Sequence, residues 1–90
     1  MRAARDYIMR EIAGETILIP SGSAAKKFNG LITVNELGGF IWDILAEDVS
    51  LDTIVERITA EYEVDADTAR TDAEAFLDEL RRVGALEEAP

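Results

Sequence analysis

Carboxylates are the most numerous side chains of this sequence that could do chemistry. Asp and Glu together number 19, whereas His and Cys do not occur. Zinc sites built on Cys and His, iron–sulfur ligation, thiol nucleophiles and His-based triads are therefore excluded by residue type. Carboxylates alone can hold a hard cation, but their spacing matches no calcium-binding loop, and we predict no metal site.

Catalysis by a pair of carboxylates has little support in the sequence. Glu11 and Glu15 stand in or beside a glycine-containing turn, with no sign of a cleft. A chain of 90 residues buries only about 60–65% of its unfolded surface, so few apolar side chains can be spared for a deep active site. We therefore predict that the protein is not an enzyme, needs no cofactor and binds its ligands at its surface.

The formal net charge of −10 narrows the class of partner further. Phosphate contacts supply most of the non-specific affinity of proteins for DNA, so we predict no nucleic-acid binding. No stretch is long and apolar enough to cross a bilayer, and the N-terminal residues lead into no signal-peptide segment. Together with the lack of Cys, these features predict a cytoplasmic protein with no membrane contact.

The elements that must position a binding surface belong to one predicted domain, residues 1–90. We expect residues 1–6 and 87–90 to be flexible ends. No internal repeat or linker divides the chain.

The first third of the chain has the β-branched and aromatic composition of strands. We predict strands at residues 7–12, 16–19 and about 28–34, with a turn at residues 13–15. Their short connections favour antiparallel pairing. An open edge on the third strand could pair with a peptide or with a second copy of the chain.

Three amphipathic helices are predicted in the rest of the chain. Asn35, Ser50 and Asp65 each precede an apolar stripe of helical spacing and are suitable N-caps. Gly38 and Gly39 fall inside the first helix, where each lowers helix propensity by roughly 1 kcal/mol. We interpret this pair as a site of close packing against a neighbour. The predicted fold class is α+β, a winged-helix-like domain with a three-stranded antiparallel sheet followed by three helices.

The third predicted helix has charged residues on both edges of its apolar stripe. The stripe is about 120° wide and consists of Ala69, Ala73, Phe76, Leu77, Leu80 and Val83. Arg70 and Arg81 flank Leu77 at one edge, and Asp72 and Glu79 flank the opposite edge. A solvated helix face and a ligand-binding role are equally consistent with the two arginines.

Several short segments resemble the PqqD-like family in their order and spacing. The resemblance runs from Tyr7 to Leu86, nearly the full length of the chain. Each segment alone is a weak signal, but together they are fairly specific. The matching residues are 10–15 and 17–20 around the first turn, 35–38 with 41–42, Ser50 with Leu51, Tyr62 with Val64 and Asp65, and Asp72 with Phe76, Leu77, Leu80, Gly84 and Leu86.

The resemblance implies a RiPP recognition element, a non-catalytic domain that binds the leader segment of a ribosomally synthesised precursor peptide. In that family the leader adds as a strand beside the third strand, in a groove lined by the third helix, and is presented to a tailoring enzyme, often a radical SAM protein. Here this implies peptide contacts at Leu31, Ile32, Thr33, Val34, Arg70, Ala73, Glu74, Leu77 and Arg81. Arg70 and Arg81 would then favour a leader with Asp or Glu near its apolar residues.

Two other classes of protein account for part of the pattern. Ser50, at a helix start in a small acidic chain, suits the phosphopantetheine-bearing serine of an acyl or peptidyl carrier protein. Such carriers usually have Asp directly before that serine, whereas Val49 stands here, and the strand-rich first third fits a helical bundle poorly. A winged-helix DNA binder would need a basic recognition helix, which the sequence lacks.

Overall fold

A strand-rich first third is followed by helices, as the sequence predicts. The computed structural model describes residues 1–27 and 32–88. The strands are β1 (Arg2–Ala3), β2 (Tyr7–Ile12), β3 (Glu15–Pro20), β4 (Ile32–Val34) and β5 (Leu86–Glu87). The helices are α1 (Ala24–Lys27), α2 (Glu36–Ile44), α3 (Leu51–Glu61) and α4 (Ala66–Val83). The predicted α+β class is confirmed, and α1, a single helical turn, adds to the three predicted helices.

The β2–β3 hairpin closes through a turn of two residues, one fewer than the predicted turn at residues 13–15, because Glu15 already belongs to β3. Ile12 pairs with Glu15, and the turn residues Ala13 and Gly14 have φ angles of 53° and 82°. Positive φ at both central residues matches the right-handed twist of the paired strands, which is why such turns predominate in two-residue hairpins.

The third strand of this antiparallel sheet is β4, in the order β2-β3-β4. Ile32 lies opposite Leu18, and Val34 lies opposite Thr16. Of the strand predicted at residues 28–34, the structure shows residues 32–34, while residues 28–31 lie outside the described part of the chain. The three-stranded antiparallel sheet of the predicted fold is confirmed.

Each of the three long helices begins at the predicted cap. The Asn35 side chain accepts a hydrogen bond from the Gly38 N–H at 2.8 Å, and Ser50 and Asp65 accept in the same way at 3.2 and 2.7 Å. Gly84 ends α4 in the left-handed conformation, with φ 78°. Within residues 1–27 and 32–88, no helix combines the length and the apolar character that crossing a bilayer requires.

The core lies between the helices and one face of the sheet. Along β4, Ile32 and Val34 are buried and Thr33 is exposed, which is the alternation of a sheet covered on one side. On the outer face of β2, Ile8 and Ile12 remain 41% and 48% exposed. The largest fully buried side chains are Leu18, Ile41, Leu45, Ile54, Ile58, Leu77 and Leu80.

Residues of two short paired strands lie within the segments predicted to be flexible, residues 1–6 and 87–90, of which residues 89–90 are outside the described part of the chain. β1 pairs antiparallel with β5, so that Ala3 lies opposite Leu86. Ala4 is buried, and its N–H donates to the carbonyl of Ala85 at 2.8 Å. The physical reason is that both ends carry small apolar residues that the core can cover, and their pairing satisfies backbone groups on both. Sequence periodicity does not detect strands of two residues.

Candidate functional site

A groove of about 460 Å³ runs between β4 and α4. Its floor is largely apolar, and two carboxylates and one amide stand along it. Its size falls within the range of ordinary ligand sites. The lining residues are Ile32, Thr33, Val34, Asn35, Leu37, Gly38, Asp72, Ala75, Phe76 and Glu79.

The bottom of this groove depends on the absence of a side chain at Gly38. A Cβ atom there would lie 2.6 Å from Cγ1 of Val34 and 2.9 Å from Cε1 of Phe76. The first turn of α2 therefore packs directly on β4 and on α4, which sets the distance between the strand and the helix. This confirms the interpretation of Gly38 as a close-packing position. Gly39 meets only Sδ of Met9, at 3.9 Å, which is ordinary van der Waals contact.

The β4 strand forms an edge of its sheet. It pairs with β3 on one side, and none of the other strands in residues 1–27 and 32–88 pairs with its far side. Such an edge presents backbone N–H and C=O groups that an added strand can use. The edge, the apolar floor and α4 together form a slot suited to an extended peptide.

A second, smaller cavity of about 300 Å³ adjoins the groove. The two cavities share Leu37 and Asp72. Nearby, the ring of Tyr62 packs edge-on against Phe40, with ring centroids 5.3 Å apart. Burial, and then hydrogen bonding to the Glu36 carboxylate, raise the pKa of the Tyr62 phenol. The lining residues are Leu37, Ile58, Tyr62, Glu63, Val64, Ala69 and Asp72.

On the strand side, the structure brings most of the predicted peptide-contact residues to the groove. Ile32, Thr33 and Val34 line it. Leu31 lies outside the described residues. The predicted strand contacts thus have the position that the resemblance requires of them, while their contact with a peptide stays a prediction.

On the helix side, the groove lies along the acidic edge of the α4 stripe and not along the basic edge. Ala73 and Leu77 face the core, with 0% and 1% of their surface exposed. Glu74 is exposed and does not line the groove. Ala73 and Leu77 therefore pack beneath the groove. A peptide in the groove would contact the α4 residues that line it, Asp72, Ala75, Phe76 and Glu79.

The two arginines predicted to meet a peptide are held elsewhere by carboxylates. Arg70 donates to Asp52 on α3 at 2.6 Å. Arg81 donates to Asp78 at 2.7 Å and to Glu88 at 2.6 Å. These hydrogen bonds raise the pKa of both guanidinium groups, which are charged in any case. Neither arginine lines the groove, so the groove has the opposite charge to the one we expected.

Sequence reasoning did not assign a binding role to the α4 residues that line the groove, Asp72, Ala75, Phe76 and Glu79. Their spacing of three, four and seven residues puts them on one helical face, which overlaps the core stripe at Phe76. The charged pair in this set was visible as the acidic edge of the stripe. Nothing in the sequence shows, however, which edge turns toward β4.

The two groove carboxylates differ in their surroundings. Glu79 accepts hydrogen bonds from Arg82, and this contact lowers the pKa of the Glu79 carboxyl. Asp72 forms no ion pair with any side chain that the structure describes. Asp72 is therefore the carboxylate of the groove that is available to a cation on a ligand.

Other chemistry finds no support in the described part of the chain. Across residues 1–27 and 32–88, no three carboxylates lie close enough together to hold a metal ion. Ser50, the serine of the carrier-protein alternative, accepts the Thr53 N–H as the N-cap of α3. The open strand edge and the apolar groove can accommodate an extended peptide chain.

Comparison with known proteins points to the same kind of domain. A solved structure of TbiB1 in complex with the TbiA(beta) leader peptide superposes with a TM-score of 0.77 and 27% identity, covering 100% of this chain and 99% of that chain. A lasso peptide synthetase B1 complexed with the leader peptide has the same fold, with a TM-score of 0.74 and 20% identity over 97% of this chain and 96% of that chain.

The comparison with family models covers most of the chain. No curated protein sequence matches it. The model for coenzyme PQQ synthesis protein D (PqqD) matches residues 15–86, from β3 to the start of β5. This stretch contains the whole groove, with β4, α2 and α4. The chain therefore belongs to the PqqD family.

Proposed function

We propose that this protein is a non-catalytic module that binds the leader segment of a ribosomally synthesised precursor peptide and presents it to a tailoring enzyme. The observation that carries this proposal is the open edge of β4, which faces α4 across an apolar groove. TbiB1, which matches this chain over its full length, is seen with a leader peptide bound. Fold, family and groove thus support one function.

Strand addition at β4 explains how such a module binds peptides without a deep pocket. Backbone hydrogen bonds to the β4 edge supply affinity that is independent of sequence, and side chains entering the groove supply selectivity. The three residues of β4 span about 10 Å. On α4, Asp72 and Glu79 are seven residues apart, which is also about 10 Å. β4 and α4 can therefore contact the same three or four residues of an extended leader.

The contact residues that we propose combine the predicted strand with the observed helix face. They are Ile32, Thr33 and Val34 on β4 and Asp72, Ala75, Phe76 and Glu79 on α4. Ala73 and Leu77 are buried behind this surface, and Arg70, Glu74 and Arg81 are exposed outside it. Leu31 would extend the strand contact beyond the described residues.

The partner that receives the peptide is a tailoring enzyme, and the resemblance favours a radical SAM protein. The chain has no Cys that could hold an iron–sulfur cluster, so a partner of that kind would supply the cluster itself. We place this encounter in the cytoplasm, where precursors are synthesised and where a protein without disulfides is at no disadvantage.

The test uses a bulky substitution in the groove and a matched one outside it. Ala75 is exposed and lines the groove, so Ala75→Trp fills the slot without disturbing the core. Ala60→Trp makes the same change at an exposed position of α3 that lines neither cavity. A short precursor-like reading frame beside this gene would supply the leader, whose binding is followed by fluorescence anisotropy of a labelled synthetic copy.

We expect Ala75→Trp to weaken leader binding at least tenfold and Ala60→Trp to leave it unchanged, with both variants folded by circular dichroism. Equal binding by the wild type and Ala75→Trp would contradict a role for this groove. A leader that does not bind the wild type at all would contradict the proposed function itself.

A further inference from the structure

The charges around the groove are segregated. The lining residues include two carboxylates, Asp72 and Glu79, and no Lys or Arg among the described residues. Arg70 and Arg81 stand on the other edge of the α4 stripe and are engaged by Asp52, Asp78 and Glu88. A ligand in the groove therefore meets negative charge from this chain, on a protein whose net charge is already −10.

Asp72 occupies a specific place in this arrangement. It lines both cavities, as Leu37 does, and so marks the junction between the groove and the smaller cavity. Together the two cavities extend along α4 from Ala69, which lines the smaller one, to Glu79, which lines the groove. This is a rise of about 15 Å. An extended peptide covers that length with four or five residues. One segment of this length can therefore reach both cavities while passing Asp72.

The two cavities suit apolar side chains. The larger has Ile32, Val34 and Phe76 in its walls, and the smaller has Ile58 and Val64. If a peptide places one apolar side chain in each cavity, the peptide residues between those two side chains lie beside the Asp72 carboxylate. A carboxylate beside an apolar groove is partly removed from water when the groove is covered, and this favours a cation as its neighbour over any acidic or neutral residue.

On the basis of the proposed leader-binding function, we propose that the groove selects leaders in which a Lys or Arg lies between two apolar residues. The basic side chain pairs with Asp72, which has no ion-pair partner among the described residues, whereas Glu79 is already engaged by Arg82. Leaders with Asp or Glu at that position are disfavoured by repulsion from the Asp72 carboxylate. This is the opposite preference to the one that Arg70 and Arg81 suggested.

Because the cognate leader is not needed for the test, the probe is a displayed library of random twelve-residue peptides selected on the immobilised wild-type chain. We expect the enriched peptides to share a basic residue flanked on both sides by apolar ones. Synthetic copies should bind more weakly as salt rises, because the contact is a partly exposed ion pair.

A neutralising variant and a charge-matched control identify the carboxylate responsible. Asp72→Asn should weaken the selected peptides about fivefold, the upper range for one partly exposed pair. Glu74→Gln removes the same charge from α4 two residues away, outside the groove, and should leave binding unchanged. Replacing the basic residue of the peptide by Glu should weaken binding to the wild type more than tenfold, and this penalty should shrink in Asp72→Asn.

The outcomes separate this inference from the function on which it rests. Enriched peptides that are blocked by Ala75→Trp but show no basic residue would overturn the charge preference and leave leader binding in this groove intact. An equal loss of affinity in Asp72→Asn and Glu74→Gln would also overturn it, since the effect would then reflect net charge alone. If no peptide is enriched, or if enriched peptides bind Ala75→Trp normally, both the function and the inference fail.

Discussion

The contrast between Gly38 and Gly39 gives a sharp test of how the groove is built. Each glycine lies in α2, where replacement by Ala increases helix propensity by up to about 1 kcal/mol. At Gly38 the new methyl group would lie 2.6 Å from Val34 Cγ1 and 2.9 Å from Phe76 Cε1. Neither atom is the free end of a long side chain, so the strand or the helix must move. Overpacking of this kind costs about 1–3 kcal/mol.

We therefore expect Gly38→Ala to be less stable than Gly39→Ala by about 1–3 kcal/mol, because only the first adds strain to the shared gain in propensity. Gly39→Ala meets only Met9 Sδ at 3.9 Å and should be as stable as the wild type or more so. Urea unfolding followed by circular dichroism measures both. Gly38→Ala should also weaken leader binding, since it forces β4 and α4 apart. Equal stability of the two variants would refute the close-packing account of the groove.

Two further predictions concern the elements that support the groove. The hydrogen bond from the Thr68 N–H lowers the pKa of the Asp65 carboxyl, so this cap stabilises the fold fully above about pH 4 and loses its effect as pH falls through the folded-state pKa. Acid unfolding of Asp65→Asn, which can cap but cannot titrate, should depend less on pH than that of the wild type, and superimposable pH profiles would contradict this. Leu77→Ala should lower the free energy of unfolding by about 2–5 kcal/mol because the side chain is fully buried, whereas a loss of leader affinity with unchanged stability would place Leu77 in the groove instead.

The parts of the fold that are governed by local sequence could be predicted. Asn35, Ser50 and Asp65 cap helices because each offers an oxygen to an N–H three residues ahead, an interaction contained in one turn. The β2–β3 hairpin follows in the same way from two runs rich in strand-forming residues, separated by a short turn. Composition also predicted the third strand, whereas the binding mode came from the resemblance and could not be obtained from local patterns alone.

The parts that depend on long-range packing could not be predicted. The β1–β5 pair joins residues more than eighty positions apart, and neither strand has enough length to show a period. For a related reason, the sequence did not indicate which edge of the α4 stripe lines the groove. Arg70 and Asp72 lie at opposite margins of one apolar stripe, and only the docking of Gly38 on Val34 and Phe76 determines which margin faces β4. Periodicity identifies the stripe but not its orientation.

The most direct test of the account is amide chemical-shift mapping of the labelled chain on addition of its leader peptide. We predict shifts at residues 32–34 and at Asp72, Ala75, Phe76 and Glu79, with slowed amide exchange along the β4 edge as a new strand pairs there. Shifts confined to α3 or to the outer face of β2 around Ile8 and Ile12, with residues 32–34 and 72–79 unaffected, would contradict leader binding in the β4–α4 groove.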